Sequence, residues 1–367
     1  MMDFDGVFAD RRILVTGHTG FKGSWLALWL HHLGASVSAC ALAPHTDPSH
    51  YALLRLDEMI ASQFLDIREF DSLHALFDRL QPEIVFHLAA QSLVRRSYGE
   101  PRMTFDTNIG GTVNVLEAVR GTPSVKACVI VTSDKCYENR EWVWGYREND
   151  PVGGRDPYSA SKGAAEIVTR SYERSFFSVE QSDRVVGCAT VRGGNVIGGG
   201  DWAGDRIIPD CVRSLSLGMP IALRNPSATR PWQHVLDPLS GYLLLAGRLL
   251  EAPQDYAGAW NFGPITPGSV TVEDIARRFV DAWGEGDISL PGGGPNELHE
   301  AHLLHLNIDR ALRELLWQPR LDVHTAIDWT VTWYQQFYRH RADMRSVSLE
   351  QIDRYMRLDS PAKDRNL

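Results

Sequence analysis

Two groups of reactive side chains stand where a predicted strand ends and where a predicted helix begins. Residues 132–135, Thr-Ser-Asp-Lys, place two hydroxyls, a carboxylate and an ammonium directly after the apolar run at residues 129–131. Tyr158 and Lys162 lie four residues apart in "DPYSASKGAAE", so they share one face of a helix. A tyrosine acts as an acid or base near neutral pH only when its pKa falls from about 10, and a neighbouring ammonium lowers it. The two groups together predict acid–base catalysis.

Three glycines lie between the first strand pattern and the first helical pattern, in "VTGHTGFKGSW". Gly17 suits a tight turn, Gly20 lets backbone amides approach a pyrophosphate, and Gly23 lets the helix pack on the strand. The helix N-terminus then faces the anionic diphosphate. The second strand ends in Ala-Leu-Ala-Pro at residues 41–44, with neither an acid for an adenosine ribose nor arginines for a 2′-phosphate. We therefore expect NAD rather than NADP and leave the ribose contact unassigned.

Strands and helices alternate along the first half of the chain. Strand patterns occupy residues 12–16, 36–42, 62–67, 83–88, 127–132 and 187–191, and helical patterns run to residue 33 and over 51–59, 71–80, 106–120 and 157–177. This alternation predicts an α/β fold, a Rossmann-like doubly wound parallel sheet. After about residue 195 the chain turns to Gly- and Pro-rich loops with short elements. We predict an NAD-binding Rossmann domain at 1–194 and a smaller C-terminal α/β domain at 195–367 that mainly binds substrate, with some segments returning to the sheet.

Composition and charge exclude several classes of partner. The 367 residues carry a formal net charge of −9, which argues against a surface that wraps nucleic acid. The longest apolar stretch, residues 25–33, is too short to span a bilayer, and the N-terminus lacks a signal-peptide pattern. Five scattered cysteines without C-x-x-C spacing fit free thiols in a reducing compartment. We expect a cytoplasmic protein with no nucleic-acid or membrane partner.

The chain resembles the extended short-chain dehydrogenase/reductase family over nearly its whole length. Within that family it is most similar to the nucleotide-sugar 4,6-dehydratases, through "VTGHTGFKGSWL", "HLAAQSLVRRSY", "TNIGGTVNVLEA", "VTSDKCYEN", "DPYSASK", "RGGNVIGGGDW" and "RPWQHVLD". The forms "GHTGFKG", "TSDKCY" and "GNVIGGGDW" most resemble the CDP-glucose 4,6-dehydratase branch. The resemblance implies NAD as the cofactor, a nucleotide-diphosphate sugar as the substrate, and a homodimer that pairs the helices at 106–120 and 157–177.

The resemblance also assigns roles to residues of this sequence. Ser133, Tyr158 and Lys162 would form the redox triad. Cofactor contacts would come from Gly17, Gly20, Phe21, Lys22 and Gly23 at the pyrophosphate, from Asp66 and Ile67 at the adenine, and from Leu88, Ala89, Ala90, Thr107, Tyr158 and Lys162 along the rest of the molecule. Substrate contacts would come from Gln91 and Ser92, near the nicotinamide or sugar, and from Asn195, Arg206 and Arg230 at the diphosphate or nucleotide.

Simpler structural roles stay open for some of these residues. Asp66 could cap a turn, and Asn195 stands beside glycines where turn residues are common. Arg206 and Arg230 could form surface ion pairs. Their planar, permanently charged guanidinium groups nevertheless suit phosphate oxygens, which favours the substrate role.

A 4,6-dehydratase passes a hydride from C4 of a hexose to NAD, removes the C5 proton and expels the C6 hydroxyl as water. The hydride then returns to C6, so the NAD ends unchanged. The resemblance implies that Tyr158 takes the 4-hydroxyl proton, with help from Ser133 and Lys162. It makes Asp134 the acid for the C6 oxygen. A buried carboxyl has a pKa raised from about 3.9, as that role requires, although the cation of the adjacent Lys135 acts in the opposite direction.

Lys135 occupies the position where the commoner dehydratase pattern has a glutamate that acts as the C5 base. To act as that base its ammonium must lose a proton, so its pKa must fall from about 10.4 to roughly 7–8. Alternatively, Lys135 stays charged and stabilises the enolate while another group takes the proton. We favour Lys135 as the base.

Three other functions remain open. A different nucleotide-sugar 4,6-dehydratase would act on GDP-mannose or dTDP-glucose. A nucleotide-sugar 4-epimerase or plain dehydrogenase needs the triad but no acid and base for C6 and C5, so Asp134 and Lys135 argue against it. A non-catalytic NAD-sensing protein tends to lose the tyrosine or lysine of the triad. No metal site is predicted, because His299, Glu300 and His302 do not match H-E-x-x-H, and a substrate-side role for them stays open.

Overall fold

Seven parallel strands form one central sheet. The computed structural model describes residues 4, 6–178, 184–265, 270–290 and 303–358. The strands are β1 (Arg12–Thr16), β2 (Ser36–Ala41), β3 (Ala61–Phe64), β4 (Ile84–His87), β5 (Ala127–Val131), β6 (Gly187–Gly193) and β7 (Gly258–Phe262). They follow the order β7-β6-β5-β4-β1-β2-β3, and every pair is parallel. The predicted fold class, a Rossmann-like α/β protein, is confirmed.

Helices cover both faces of this sheet and build the C-terminal part of the chain. In the described residues they are α1 (Phe21–His32), α2 (His50–Leu54), α3 (Phe70–Leu80), α4 (Val94–Gly99), α5 (Pro101–Phe105), α6 (Gly111–Gly121), α7 (Pro157–Tyr172), α8 (Ile207–Ser216), α9 (Leu236–Glu251), α10 (Val272–Trp283), α11 (Asp309–Arg313), α12 (Val323–Tyr338) and α13 (Met344–Arg357). Single 3₁₀ turns lie at Leu56–Glu58 and Asp134–Cys136, and π-helical turns at Asp106–Gly110 and Glu173–Phe177.

The central strands are mostly apolar because helices bury both of their faces. Every residue of β5 is buried, and so is every residue of β6. Successive side chains of a strand point to opposite faces. In β1, Ile13 and Val15 accordingly join a large core with α1, α9 and the C-terminal helices, whereas Leu14 joins a second core with α3 and α6. Because all seven strands are parallel, their carboxyl ends lie along the same edge of the sheet.

Three predicted elements differ from the observed ones. The helix predicted over 51–59 is interrupted at Arg55, whose φ is 51°, and is divided into α2 and the 3₁₀ turn at Leu56–Glu58. The third strand ends at Phe64 rather than at residue 67, because the Asp66 carboxylate accepts a hydrogen bond from the backbone N–H of Arg68 and turns the chain. The helix predicted over 106–120 begins much earlier. Helical turns follow one another from Val94 to Gly121, because Pro101 opens a new helix at α5 immediately after α4.

The C-terminal half returns to the sheet once among the described residues. Strand β7 pairs with β6 along its whole length, from Gly258 beside Ala189 to Phe262 beside Gly193. The division into domains at residue 194 stays a prediction. His299, Glu300, His302 and the last residues, 359–367, lie outside the part that the structure describes. In the part that it does describe, none of the helices combines the length and the apolar character needed to cross a membrane.

Candidate active site

The glycine loop between β1 and α1 is tightly packed on one side and open on the other. Gly17 has a φ of 81°, and a Cβ there would lie 2.6 Å from the backbone nitrogen of Ala89. A Cβ at Gly23 would lie 2.2 Å from the carbonyl oxygen of Gly17. At Gly20 the nearest atom is 3.4 Å away, and α1 starts there without a side-chain cap. The loop therefore leaves its amides and the positive end of the helix dipole available to a diphosphate.

A short 3₁₀ turn follows β5 and carries the predicted catalytic residues; we call residues 133–136 the catalytic turn. Ser133 caps the turn, because its Oγ accepts a hydrogen bond from the backbone N–H of Lys135 at 3.2 Å. The same hydroxyl donates to Oδ1 of Asp134 at 3.0 Å. The structure thus brings the hydroxyl and the carboxyl together, and Lys135 stands next to them, half-buried.

Asp134 is 3% exposed, and its Oδ2 has no hydrogen-bond partner among the described residues. A Cβ on Gly194 would lie 3.3 Å from that oxygen, so its open side faces the loop after β6. Burial raises the pKa of this carboxyl, and it outweighs the lowering by Lys135, by the Ser133 hydrogen bond and by Lys22. The direction is the one that the sequence predicted. A carboxyl of this kind is suited to donating a proton.

Tyr158 and Lys162 project from the first turns of α7 towards the end of β5. The helix begins at Pro157 and is capped by Asp156, whose side chain accepts from the N–H of Ser159 at 2.9 Å. The ammonium of Lys162 donates to the carbonyl oxygen of Val131 at 3.0 Å. Burial, followed by the charge of Lys22, lowers the pKa of Lys162 to about 8. The helix therefore sets both reactive groups beside the catalytic turn.

The predicted pKa of the tyrosine was wrong. The sequence suggested that Lys162 lowers the pKa of Tyr158, but burial raises it to about 12, and the largest opposing effect is a hydrogen bond with Ser133. The reason is geometric, since the Lys162 ammonium is bonded to a backbone carbonyl oxygen. The pKa of Tyr158 can fall towards neutral pH only if a further cation, such as an oxidised nicotinamide ring, lies beside its hydroxyl.

Lys22 lies closer to the catalytic residues than its assignment to the pyrophosphate implied. Burial and the Arg206 cation lower its pKa to about 8, whereas the carboxylate of Asp134 raises it. The lysine content of the sequence is a signal for this placement. Of its 37 basic residues 32 are arginine and five are lysine, and three of the five are Lys22, Lys135 and Lys162. Arginine cannot lose its proton in a protein, so the lysines concentrate where a titratable cation is useful.

Arg206 stands at the N-terminus of α8, and its charge acts on both Lys22 and Tyr158. Its guanidinium donates to Oδ2 of Asp201 at 2.8 Å and to Oγ of Ser92 at 3.3 Å. Its positive charge also acts on Tyr158, lowering that residue's pKa. Asp201 therefore orients a cation near the tyrosine, and Ser92 lies beside it. Both predicted substrate residues are brought together, and their contact with substrate remains a prediction.

Asn195 and Arg230 lie on two loops that approach each other near Gly194. The backbone carbonyl oxygen of Asn195 accepts from the N–H of Gln233 at 3.0 Å. The guanidinium of Arg230 donates to the carbonyl oxygen of Thr229 at 2.8 Å. Pro231, next in the chain, would lie 2.5 Å from a Cβ on Gly194, which itself borders Asp134. The structure places both loops next to the catalytic turn and leaves the predicted substrate roles untested.

The residues predicted to contact adenine have structural tasks. The Asp66 carboxylate receives hydrogen bonds from the guanidinium of Arg68 at 2.5–3.1 Å, so it closes a turn, which was the alternative role. The Ile67 side chain is buried beneath α6, where a Cβ on Gly111 would lie 2.4 Å from its Cδ1. A contact with adenine would use the outer faces of these residues.

The residues directly after β4 pack against the glycine loop. Leu88, Ala89 and Ala90 are half-buried there, and the N–H of Ala89 donates to Oγ1 of Thr16 at 3.2 Å. Thr107, in the π-helical turn, donates to the sulfur of Met103 at 3.5 Å. These positions agree with a ligand running along the strand ends, as in other doubly wound sheets.

The side-chain amide of Gln91 is hydrogen-bonded to nearby protein groups, and its predicted contact with nicotinamide or sugar is untested. The amide donates to the carbonyl oxygen of Leu93 and to Oγ1 of Thr104, both at 3.0 Å, and accepts from the N–H of Leu93 at 2.6 Å. The amide therefore stabilises its own loop. A contact with nicotinamide or sugar would require it to give up those bonds. Among the described residues, no three His, Cys, Asp or Glu side chains are grouped so as to hold a metal ion.

Comparison with known proteins places this geometry in context. Residues 14–261 match the family model described as GDP-mannose 4,6 dehydratase. The chain is 48% identical to a CDP-glucose 4,6-dehydratase of Salmonella typhimurium over 94% of this chain and 96% of that protein. Its fold resembles an epimerase of Methanothermobacter thermautotrophicus, with a TM-score of 0.77, 22% identity and coverage of 94% and 97% of the two chains. It also resembles a dTDP-glucose 4,6-dehydratase of Bacillus anthracis solved with NAD, with a TM-score of 0.72, 21% identity and coverage of 88% and 96%.

Proposed function

We propose a reaction for this chain from the premise that it belongs to the GDP-mannose 4,6-dehydratase family, within the extended short-chain dehydrogenases/reductases. It converts CDP-D-glucose into CDP-4-keto-6-deoxy-D-glucose and water, with NAD as a bound cofactor. It is thus a hydro-lyase that supplies a precursor for deoxysugar synthesis. The family resemblance read from the motifs is confirmed, and the relative at 48% identity supports CDP-glucose as the substrate.

One observation carries the choice of reaction. A 4-epimerase needs only the redox group formed by Ser133, Tyr158 and Lys162. This site adds Asp134, a buried carboxyl whose pKa is raised and whose second oxygen has no hydrogen-bond partner in the described part of the chain. Such a group has no task in epimerisation, whereas the loss of the C6 hydroxyl as water requires an acid. The additional acid therefore favours a dehydratase.

The cofactor site fits NAD because Cβ atoms at Gly17 and Gly23 would clash with backbone, whereas Gly20 leaves the loop surface open. NAD, when bound, would accept the hydride of C4 and return it to C6, so that the sugar is oxidised at one carbon and reduced at the other. The protein's own residues move the protons. Tyr158 accepts the proton of the 4-hydroxyl, and Ser133, whose hydrogen bonding lowers the pKa of Tyr158, helps to hold the tyrosine hydroxyl in place. The ammonium of Lys162 keeps the site cationic.

Asp134 then delivers its proton to the C6 oxygen, so that water leaves. We propose Lys135 as the base that removes the C5 proton. Its backbone N–H is anchored on Ser133 Oγ, so its side chain starts from a fixed point beside the acid. Arg206, Arg230 and Asn195 would hold the nucleotide diphosphate, and the segment 195–367 would supply most of the substrate side.

We also propose that the protein is a homodimer, as the family resemblance implies, with the helices α6 and α7 at the interface. Ile167 on α7 is 59% exposed and Phe176 just beyond it is 43% exposed, which supports an apolar contact on this face. Location in the cytoplasm is part of the proposal. It is supported by the five cysteines, which are all free and buried.

Product masses test the reaction directly. The purified protein is incubated with CDP-glucose, dTDP-glucose, UDP-glucose and GDP-mannose in separate samples, with and without added NAD. We expect the loss of one water, about 18 mass units, from CDP-glucose alone. Loss of water from another sugar nucleotide would correct the substrate. Unchanged masses combined with a changed sugar configuration would replace the dehydratase with an epimerase.

A further inference from the structure

A buried ion pair lies directly behind the catalytic turn and takes no part in the reaction described above. The guanidinium of Arg192, on β6, donates to Oε2 of Glu166, on α7, at 2.6 Å. The two residues are 3% and 5% exposed. Because desolvation is costly, a buried pair of this kind is often no more stabilising than well-packed apolar residues. Its presence here therefore calls for a reason other than stability.

The carboxylate of Glu166 holds the entry to the catalytic turn. Thr132, the residue before Ser133, donates from Oγ1 to Oε1 of Glu166. Thr190, on β6, donates from its own hydroxyl to Oε2 at 2.7 Å. The backbone N–H of Thr132 is also bonded to the carbonyl oxygen of Val191 at 2.9 Å. The position of Ser133 thus depends on a side chain of α7.

The guanidinium of Arg192 holds the exit from the same turn. Its Nη1 donates to the hydroxyl of Tyr137 at 2.6 Å, and its guanidinium carbon, Cζ, lies 4.8 Å from the centre of the Tyr137 ring. The Tyr137 hydroxyl donates in turn to Oδ1 of Asn261, on β7, at 2.8 Å. Tyr137 is the residue that directly follows the catalytic turn. One ion pair is therefore bonded to both neighbours of residues 133–136.

Glu166 also belongs to the helix that carries the other half of the site. It follows Lys162 by four residues and Tyr158 by eight, so the three side chains lie along one face of α7. We propose that Glu166 and Arg192 are positioning residues, which fix the catalytic turn relative to Tyr158 and Lys162. This inference rests on the proposed function, because it concerns the geometry of that reaction.

Two threonines on the same carboxylate provide a matched test. Thr132→Val and Thr190→Val each remove one hydroxyl from Glu166, but only Thr132 is continuous with the catalytic turn. We expect Thr132→Val to lower kcat for CDP-glucose by roughly 10- to 100-fold with KM unchanged, the effect of a misplaced catalytic group. Thr190→Val should leave kcat unchanged, and Thr132→Ser, which restores the hydroxyl, should recover it. Thermal unfolding and NAD affinity, measured by tryptophan fluorescence, should show all three variants folded and cofactor-bound.

The outcomes separate this inference from the proposed function. Wild-type protein that leaves CDP-glucose unchanged contradicts the proposed function. If the wild type is active but kcat falls equally in Thr132→Val and Thr190→Val, or in neither, the positioning role is wrong. A Thr132→Val protein that fails to fold is replaced by Tyr137→Phe, which removes the bond to Arg192 at the other end of the turn. A normal kcat in that variant would contradict the role as well.

Discussion

Replacing Asp134 by asparagine should separate the two halves of the proposed reaction. Asparagine keeps an oxygen that accepts the hydrogen bond from Ser133 Oγ, now 3.0 Å long, but it has no proton to give to the C6 oxygen. The groups needed at C4, Ser133, Tyr158 and Lys162, are unchanged. We therefore expect oxidation of CDP-glucose without loss of water, so that the absorbance of reduced nicotinamide persists.

The size of the effect follows from the setting of the carboxyl. A positioned general acid contributes roughly 10²- to 10⁴-fold to a rate, which is about 3–5 kcal/mol of activation free energy. Asp134 is 3% exposed and is surrounded by protein, so bulk water is a poor substitute for it. We expect the rate of water release to fall by roughly 10²- to 10⁴-fold. It is measured by mass spectrometry of quenched samples, alongside the absorbance.

The same substitution should stabilise the fold at neutral pH. Burial raises the pKa of Asp134, so the folded protein binds this proton more tightly than the unfolded chain does. The stability that such a group contributes is complete below the unfolded pKa of about 3.9 and is lost as the pH rises through the native value. Asparagine does not ionise. Asp134→Asn should therefore have a higher Tm than the wild type at pH 7 and an equal one in acid.

A second buried carboxyl provides the control. Asp237 lies on α9 and accepts hydrogen bonds from the Tyr355 hydroxyl at 2.9 Å and the N–H of Arg320 at 2.7 Å. Asp237→Asn should leave both oxidation and water release unchanged. The reasoning about Asp134 is refuted if Asp134→Asn releases water at the wild-type rate, which would place the acid elsewhere. It is equally refuted if no reduced nicotinamide forms, because Asp134 would then belong to the oxidation step.

Three further predictions concern the C5 base, the glycine loop and the buried Asp237. Lys135→Ala should abolish the incorporation of solvent deuterium at C5, measured by mass spectrometry; retained exchange identifies another group as the base. Gly23→Ala places a methyl group 2.2 Å from the carbonyl oxygen of Gly17. It should lower the free energy of unfolding by roughly 1–3 kcal/mol and also weaken NAD binding. In Gly20→Ala the new methyl group would lie 3.4 Å from the nearest atom, the carbonyl oxygen of Gly17, so this variant should keep the wild-type Tm. An equal loss of stability in both variants would contradict the packing argument. Because burial raises the pKa of Asp237 to about 7, its contribution to stability is lost as the pH rises through that value, so Asp237→Asn should flatten the change of Tm between pH 7 and about 3.9.

Local patterns predicted the parts of the site that are made of neighbours in sequence. The glycine loop, the catalytic turn and the pair Tyr158 and Lys162 each lie within a few residues, and strand or helix periodicity fixes their relative direction. The end of the third strand was less predictable. The bond between Asp66 and Arg68 stops it, and a carboxylate two residues from an arginine occurs equally in turns and on ligand-binding edges.

Properties that depend on tertiary packing were beyond the sequence. The pKa of Tyr158 is set by burial and by a hydrogen bond with Ser133, which lies 25 positions earlier in the chain. The pairing of Glu166 with Arg192 joins a helix to a strand, and neither residue stands in a pattern that marks it as buried. The amide of Gln91 is bonded within its own loop because Thr104 packs against it, a contact that no spacing rule predicts.

The late return of β7 to the sheet has a consequence for biosynthesis. The catalytic turn leaves the ribosome long before Asn261, the residue that holds the Tyr137 hydroxyl from β7. About 65 residues separate the end of β6 from the start of β7, which corresponds to roughly 3 to 13 seconds of translation. During that interval β6 is an unpaired edge strand, open to association with other nascent chains. A truncated chain that ends before β7 should therefore aggregate rather than bind cofactor as an independent unit, because the active centre is completed only after Asn261 has been made.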